Sequence, residues 1–198
     1  ANFLDATFLS NHDQERTLSQ LGRDSQKAKL AANLLFTLPG CPFVLYGEEL
    51  GMAGRKPDEH LREPMLWSAS DGSLNPTWIE RQYTAPRMLP SVSQQQTDPD
   101  SLLNHYRWLI ALRHRSKLLS EGQLEPINLG RAAVMAFWRS LDNERIMVIH
   151  NVGNQSEEIA LNQDMQWIDG TPSLTNIKNQ YSKFGLEPFS FVILKPFW

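Results

Sequence analysis

The chain of 198 residues contains a single cysteine, Cys41. It therefore has no internal disulfide and no cysteine-based metal cluster. Pro, Gly and apolar residues surround Cys41 in Pro39-Gly40-Cys41-Pro42-Phe43-Val44-Leu45, so its expected place is in packed core. No run of about 18 or more apolar residues occurs, so the sequence offers no membrane-spanning helix. There is no basic excess either. Lys and Arg number 19 against 22 Asp and Glu, for a net charge of −3. This argues against nucleic acid as a partner, because a phosphate-backbone binder needs surplus cations. The opening residues lack an initiator Met and lack the basic start and apolar stretch of a signal peptide. The chain reads as the middle of something longer.

The residues that are present describe a globular protein, 41% hydrophobic and 21% charged. Aromatics make up 10%, with six Trp. Their ordinary use is core packing, although their faces also suit sugar rings. A short β-prone run, Ala6-Thr7-Phe8-Leu9-Ser10, is followed by helix-capping types at Asp24 and Ser25. Ala28, Ala31, Ala32, Leu34, Leu35 and Leu38 then repeat at the spacing of a buried helix face. Pro39-Gly40 stops that helix, and Pro42–Tyr46 reads as a fully buried strand. Strand, helix and strand at this spacing make a βαβ unit with parallel strands, covered on both faces. Residues 52–97 form a long irregular stretch, the kind that carries function. Asp98-Pro99 is expected to open a second helix, with Leu102, Leu103, Tyr106, Leu109, Ile110 and Leu112 on its apolar face. After Gly122 the pattern changes to short β-runs at 134–138, 146–150, 157–161, 165–168 and 189–194, separated by turn residues. That spacing predicts a small antiparallel β-sandwich. The boundary is placed near residue 122.

Three segments carry chemistry. Asn11-His12-Asp13 follows the first strand, where α/β barrels place reactive groups. A polar turn that caps the next segment fits the same residues equally well. Glu48-Glu49 follows the second strand, but adjacent side chains diverge and make a poor acid/base pair. Ion pairing or loop anchoring suits them better. Arg62-Glu63-Pro64-Met65-Leu66-Trp67 offers a cation and an aromatic wall to a polar ligand.

Taken in order, these segments resemble the α-amylase family of glycoside hydrolases. Phe8–Asp13 resembles that family's hydrophobic strand followed by Asn-His-Asp. Leu38-Pro39-Gly40-Cys41-Pro42-Phe43-Val44-Leu45-Tyr46-Gly47-Glu48-Glu49-Leu50-Gly51-Met52 is similar to its eighth barrel strand. Arg62–Trp67 is similar to the Arg-x-Pro-Met-x-Trp segment of its bacterial α-glucosidase-like members. The stretch from Asp98 to Arg113 resembles its last barrel helix.

The resemblance implies an α/β plus all-β chain: the C-terminal part of a (β/α)8 barrel over residues 1–121, about strands 7 and 8, then a β-sandwich over residues 122–198. Family members act on α-glucosidic bonds of starch-like substrates with retention, through a covalent glycosyl-enzyme. Asp13 matches the family's transition-state-stabilising carboxylate. His12 matches the neighbouring histidine that donates to the same sugar hydroxyls, and Arg62 an arginine near the first sugar. The expected partner is an α-glucan or maltooligosaccharide, with neither nucleic acid nor membrane. No metal site and no cofactor is expected in this chain, while calcium belongs to the upstream part of the family's full-length enzymes.

The family's nucleophile segment, Gly-x-Arg-x-Asp, and its general-acid segment are absent from this sequence. A barrel needs ~250 residues, and only about 120 here are available to one. The expectation is therefore a C-terminal portion that is inactive alone. Its open barrel edge would be covered by the remaining N-terminal part or by a second copy. The competing reading is a non-catalytic glucan-binding or scaffold module.

Overall fold

The computed structural model describes residues 4–171 and 181–197. Its chain divides into two compact units, Ala1–Leu35 with Gly40–Leu112, and Phe36–Pro39 with Arg113–Trp198.

In the first unit, β1 (Ala6–Phe8) and β2 (Cys41–Phe43) form a parallel pair in the register Ala6–Cys41, Thr7–Pro42, Phe8–Phe43. Gly40 makes this pairing possible. Its φ is +109°, and a Cβ there would stand 2.7 Å from Thr7 Cγ2 and 2.9 Å from the Asp5 carbonyl oxygen, a fit that only glycine allows. Helices α1 (Thr17–Gln20) and α2 (Ser25–Thr37) connect the strands. As the capping residues predicted, Asp24 Oδ1 accepts from the backbone N–H groups of Gln26 and Lys27, satisfying donors that the first helical turn leaves open. Helix α2 buries Ala28, Leu30, Ala32, Leu35 and Phe36.

The long segment after β2 holds α3 (Asp58–Leu61), a 3-10 turn at Gly72–Leu74 and α4 (Val92–Thr97). Its core gathers Leu50, Met52, Leu89, Val92 and Leu103, with Met65 packed against them. Helix α5 (Leu102–Arg115) follows, starting later than Asp98-Pro99 suggests. Ser101 supplies the cap, its Oγ accepting from Asn104 N at 3.2 Å, while Asp98 closes the preceding turn by accepting from Asp100 N. The Asp side chain is spent locally, so the next small hydroxyl takes over.

Two expectations about the strands need correction. β2 is three residues long rather than five, and it is not fully buried. Cys41 is exposed, as are Phe8 and Phe43. A pair of parallel strands has two open edges and uncovered faces, so residue type alone does not bury these side chains.

In the second unit, α6 (Lys117–Glu121), capped by Ser116, leads into six antiparallel strands. They are β3 (Gln123–Ile127), β4 (Val134–Leu141), β5 (Glu144–Asn151), β6 (Glu157–Gly170), β7 (Tyr181–Leu186) and β8 (Phe191–Pro196), in the order β3-β4-β5-β8-β6-β7. The runs expected at 157–161 and 165–168 are one strand, β6, with register shifts between Ala160 and Met165 and again between Trp167 and Asp169. The irregular strand pairs with β7 through its first part and with β8 through its last part, within one sheet. Ala136, Met147, Ile149, Val192 and Leu194 thereby meet Ile159, Met165, Phe184 and Leu186 in one core. A further strand, β3, contains Pro126 and lies at the sheet edge, where proline is tolerated.

Buried cations fix the ends of this unit. Arg139 donates twice to the Gly122 carbonyl (3.2 and 2.8 Å) and once to that of Thr37 (2.6 Å). Arg113 donates to the carbonyls of Phe36 and Leu38. These bonds hold residues 36–39 on the sheet unit. Burial, with Arg113 adding to it, lowers the Arg139 guanidinium to about 10, so it remains charged at neutral pH.

Candidate functional site

Asn11, His12 and Asp13 follow β1 directly, at its C-terminal end. Asn11 Oδ1 accepts from the Asp13 backbone N–H at 2.9 Å, so the turn holds itself. His12 Nε2 lies 3.2 Å from Asp13 Oδ2, and both side chains are open to solvent (67% and 61% exposed). Arg62, at the end of α3, reaches back to the same turn. Its Nε donates to the His12 carbonyl at 3.1 Å and its Nη2 to Asp13 Oδ1 at 3.0 Å. The three residues singled out in the sequence stand together. Asp13 has not been absorbed into packed protein, so its carboxylate can still meet a ligand.

Two further residues complete this cluster. Asp58 Oδ2 accepts from Arg62 Nη2 at 3.2 Å, and Lys56 Nζ binds Asp58 Oδ1. Lys56 and Arg62 together hold the Asp58 carboxyl below its usual range, the Lys56 hydrogen bond being the larger cause. The signal for Asp58 is present in the sequence, because Asp58 and Arg62 stand four apart on one helical face.

Beneath this surface the cluster rests on buried polar groups. Glu63, next to Arg62, is fully buried. It accepts from the backbone N–H groups of Gln82, Tyr83 and Thr84 and from the Thr84 hydroxyl, at 2.8–3.1 Å. Arg16, also buried, donates to the carbonyls of Leu61 (2.8 Å) and Tyr46 (2.5 Å) and lies over the Tyr46 ring. Glu48 accepts from Ser10 Oγ at 2.9 Å and from the Tyr106 hydroxyl at 3.3 Å. Burial raises the Glu48 carboxyl above its usual range, against the opposing pull of these hydrogen bonds. Glu48 thus ties the two strand ends to α5, the anchoring role its sequence position suggests. Burial likewise raises Glu49, with Arg16 offsetting part of the effect. The basis of this layer is not visible in the sequence, since Glu63, Arg16 and Glu48 find their partners in distant segments: residues 82–84, Leu61 with Tyr46, and Ser10 with Tyr106.

Among the described residues, no three His, Cys, Asp or Glu side chains come together as a metal site. The chemistry available to the cluster is that of an exposed carboxylate, oriented by an arginine and flanked by an imidazole. It can accept hydrogen bonds from vicinal hydroxyls while its neighbours donate to them.

Residues 1–122 match the family described as "Alpha amylase, catalytic domain", and residues 134–193 match the "Alpha-amylase SusG C-terminal domain". The chain is 37% identical over 195 residues to "Alpha-amylase 3" of Dictyoglomus thermophilum, covering 98% of this chain and 39% of that protein. It is 36% identical over 175 residues to "Alpha-amylase SusG" of Bacteroides thetaiotaomicron, covering 84% of this chain and 25% of that one. The crystal structure of an α-amylase from H. orenii superimposes with a TM-score of 0.86 at 36% identity, covering 98% of this chain and 40% of the other. The chain thus spans two fifths or less of the length of these relatives. The parallel strand pair with its helices is the end of the family's barrel, and the antiparallel sheet is its C-terminal domain; the chain belongs to the α-amylase family.

Proposed function

We propose that this chain forms part of a retaining glycoside hydrolase acting on α-glucosidic bonds of starch-like oligo- or polysaccharides, and that Asp13 is its transition-state-stabilising carboxylate. The observation carrying this reading is the convergence of Asp13, His12 and Arg62 at the end of β1, with Asp13 exposed and held at 3.0 Å by Arg62. In the proposed reaction a carboxylate outside this chain attacks the anomeric carbon, and a protonated carboxyl, also outside it, serves the leaving oxygen. Asp13 accepts hydrogen bonds from the 2- and 3-hydroxyls of the reacting glucose. These bonds strengthen as the ring flattens toward the oxocarbenium ion, so they lower the barrier more than they tighten ground-state binding. His12 donates to the same hydroxyls. Arg62 orients Asp13 and borders the first sugar.

Residues 1–121 act in this reading as the end of the barrel, and residues 122–198 as the C-terminal domain. The exposed edges of β1 and β2, with Phe8 and Phe43, are covered by the remaining barrel units. The chain brings no cofactor of its own, and any calcium of the longer protein is held elsewhere. The chain alone is inactive, because no segment of its sequence matches the nucleophile or the acid.

Incubating the pure chain with maltooligosaccharides should release no glucose, and clear turnover would refute the assignment of roles. In an enzyme that includes this segment, Asp13→Asn should lower kcat/KM by about 10²–10³, the size seen when one charge-stabilising contact is removed. A near-normal kcat/KM in that variant rejects Asp13 as the stabilising carboxylate.

A further inference from the structure

The first unit holds a cavity that shares no residue with the Asp13 cluster. It measures about 350 Å³ and is lined by Ser19, Gly22, Arg23, Arg55 and Tyr83. We propose that it is a binding site for a phosphate group.

The walls are held from behind by buried hydrogen bonds. Ser19 is buried, and its Oγ accepts from Gly54 N at 2.8 Å, which fixes α1 against the residue preceding Arg55. Tyr83 N donates to both oxygens of the fully buried Glu63, at 3.0 and 3.1 Å, and the His60 ring packs edge-on against Tyr83. Arg23 occupies the left-handed region at φ +62°, uncommon for a residue with a Cβ. Its backbone N–H is used by the Leu18 carbonyl at 2.9 Å, so this conformation is fixed by the turn.

The charge in the cavity is of one sign, since no Asp or Glu lines it. Among the described residues Arg23 has no carboxylate partner, and its guanidinium lies 5.9 Å from the centre of the Tyr83 ring. Arg55 approaches Glu15 at 3.9 Å, the outer limit of an ion pair, and keeps donors for a ligand. Two guanidiniums and a phenol in one recess exceed what a neutral glucan hydroxyl needs. Planar, paired N–H donors fit the oxygens of a phosphate. A free phosphate ion and a phosphate ester on a sugar present the same chemistry. This inference is independent of the role assigned to Asp13.

The test is calorimetric titration of the chain at low ionic strength with inorganic phosphate, glucose 6-phosphate and maltose. Phosphate should bind, added salt should weaken it, and saturating maltose should leave it unchanged. Arg23→Gly suits the measurement because glycine takes φ +62° without strain, so the fold survives while the cation is lost. Arg23→Gly and Arg55→Ala should each weaken phosphate binding tenfold or more, and Lys27→Ala, on the surface beside Asp24, should not. Tighter binding of glucose 6-phosphate than of phosphate supports the site as one for a sugar ester; equal binding supports it as one for the free anion. Absence of phosphate binding, or an Arg23→Gly affinity equal to the parent's, overturns the proposal.

Discussion

Arg62 Nη2 stands 3.0 Å from Asp13 Oδ1, joining two side chains that lie 49 residues apart. The same arginine holds the His12 carbonyl through Nε. Lysine carries its donors on one nitrogen and cannot reproduce the spacing of the Nε and Nη2 donors. In an enzyme carrying this segment, Arg62→Lys should therefore lower kcat/KM about tenfold, equivalent to about 1.4 kcal/mol. Because the pair is exposed, folding stability should move by no more than about 0.5 kcal/mol. Michaelis kinetics on maltooligosaccharides with a parallel thermal melt separate the two effects, and equal loss of activity and stability would contradict the orienting role.

Glu63 is expected to matter for stability. Removing its carboxylate leaves the N–H groups of Gln82, Tyr83 and Thr84 without their acceptor inside the protein. Glu63→Ala should cost about 3–5 kcal/mol, the range for breaking a buried charged network. Urea unfolding measures it. A loss under about 1 kcal/mol would mean that the 82–84 loop finds its hydrogen bonds elsewhere.

His150 makes the second unit sensitive to acid. It is fully buried between the rings of Phe137 and Phe191, with Nε2 2.9 Å from Thr37 Oγ1. Burial pushes it down to about 3, against ~6.5 in an unfolded chain. Between these values the unfolded state binds the extra proton, so stability rises with pH across the window and is lost as pH falls through it. His105, which burial lowers to about 4, acts in the same sense in the first unit. Glu48, raised by burial, opposes them above pH 4.5. His150→Gln should flatten the pH dependence of urea unfolding between about pH 4 and 6.5. An unchanged slope would show that His150 is not the titrating group.

Cys41 lies exposed beside the open strand pair. A thiol reagent should therefore modify one group per folded chain without denaturant. Modification only on unfolding would contradict the exposure of Cys41 in the first unit.

The contrast between Cys41 and Asp13 shows what can be read from residue type. Local signals served well for Asp24, whose cap depends on the next three residues, and for Pro39-Gly40, ahead of which α2 ends at Thr37. Ordered motifs also singled out Asp13, His12 and Arg62, which the structure brings together. Local signals failed for Cys41, since burial depends on what covers a strand. They failed again for Ser101, where Asp98, a capping type of equal rank, closes its own turn instead. Glu63 and Arg16 lie within readable motifs, yet nothing nearby in the chain shows that both would be buried and hydrogen-bonded to distant backbone groups.

Sequence by itself determined the helix capped at Asp24, the change to β-structure after Gly122, the family, and the candidate carboxylate. Each of these depends on short-range periodicity, capping chemistry or contiguous motifs. Tertiary structure alone decided that Arg62 reaches Asp13, that Glu63 holds residues 82–84, that β6 pairs with both β7 and β8, and that Arg23 and Arg55 share a cavity. Those outcomes join residues far apart in the chain, and long-range packing, which no local pattern encodes, selects them.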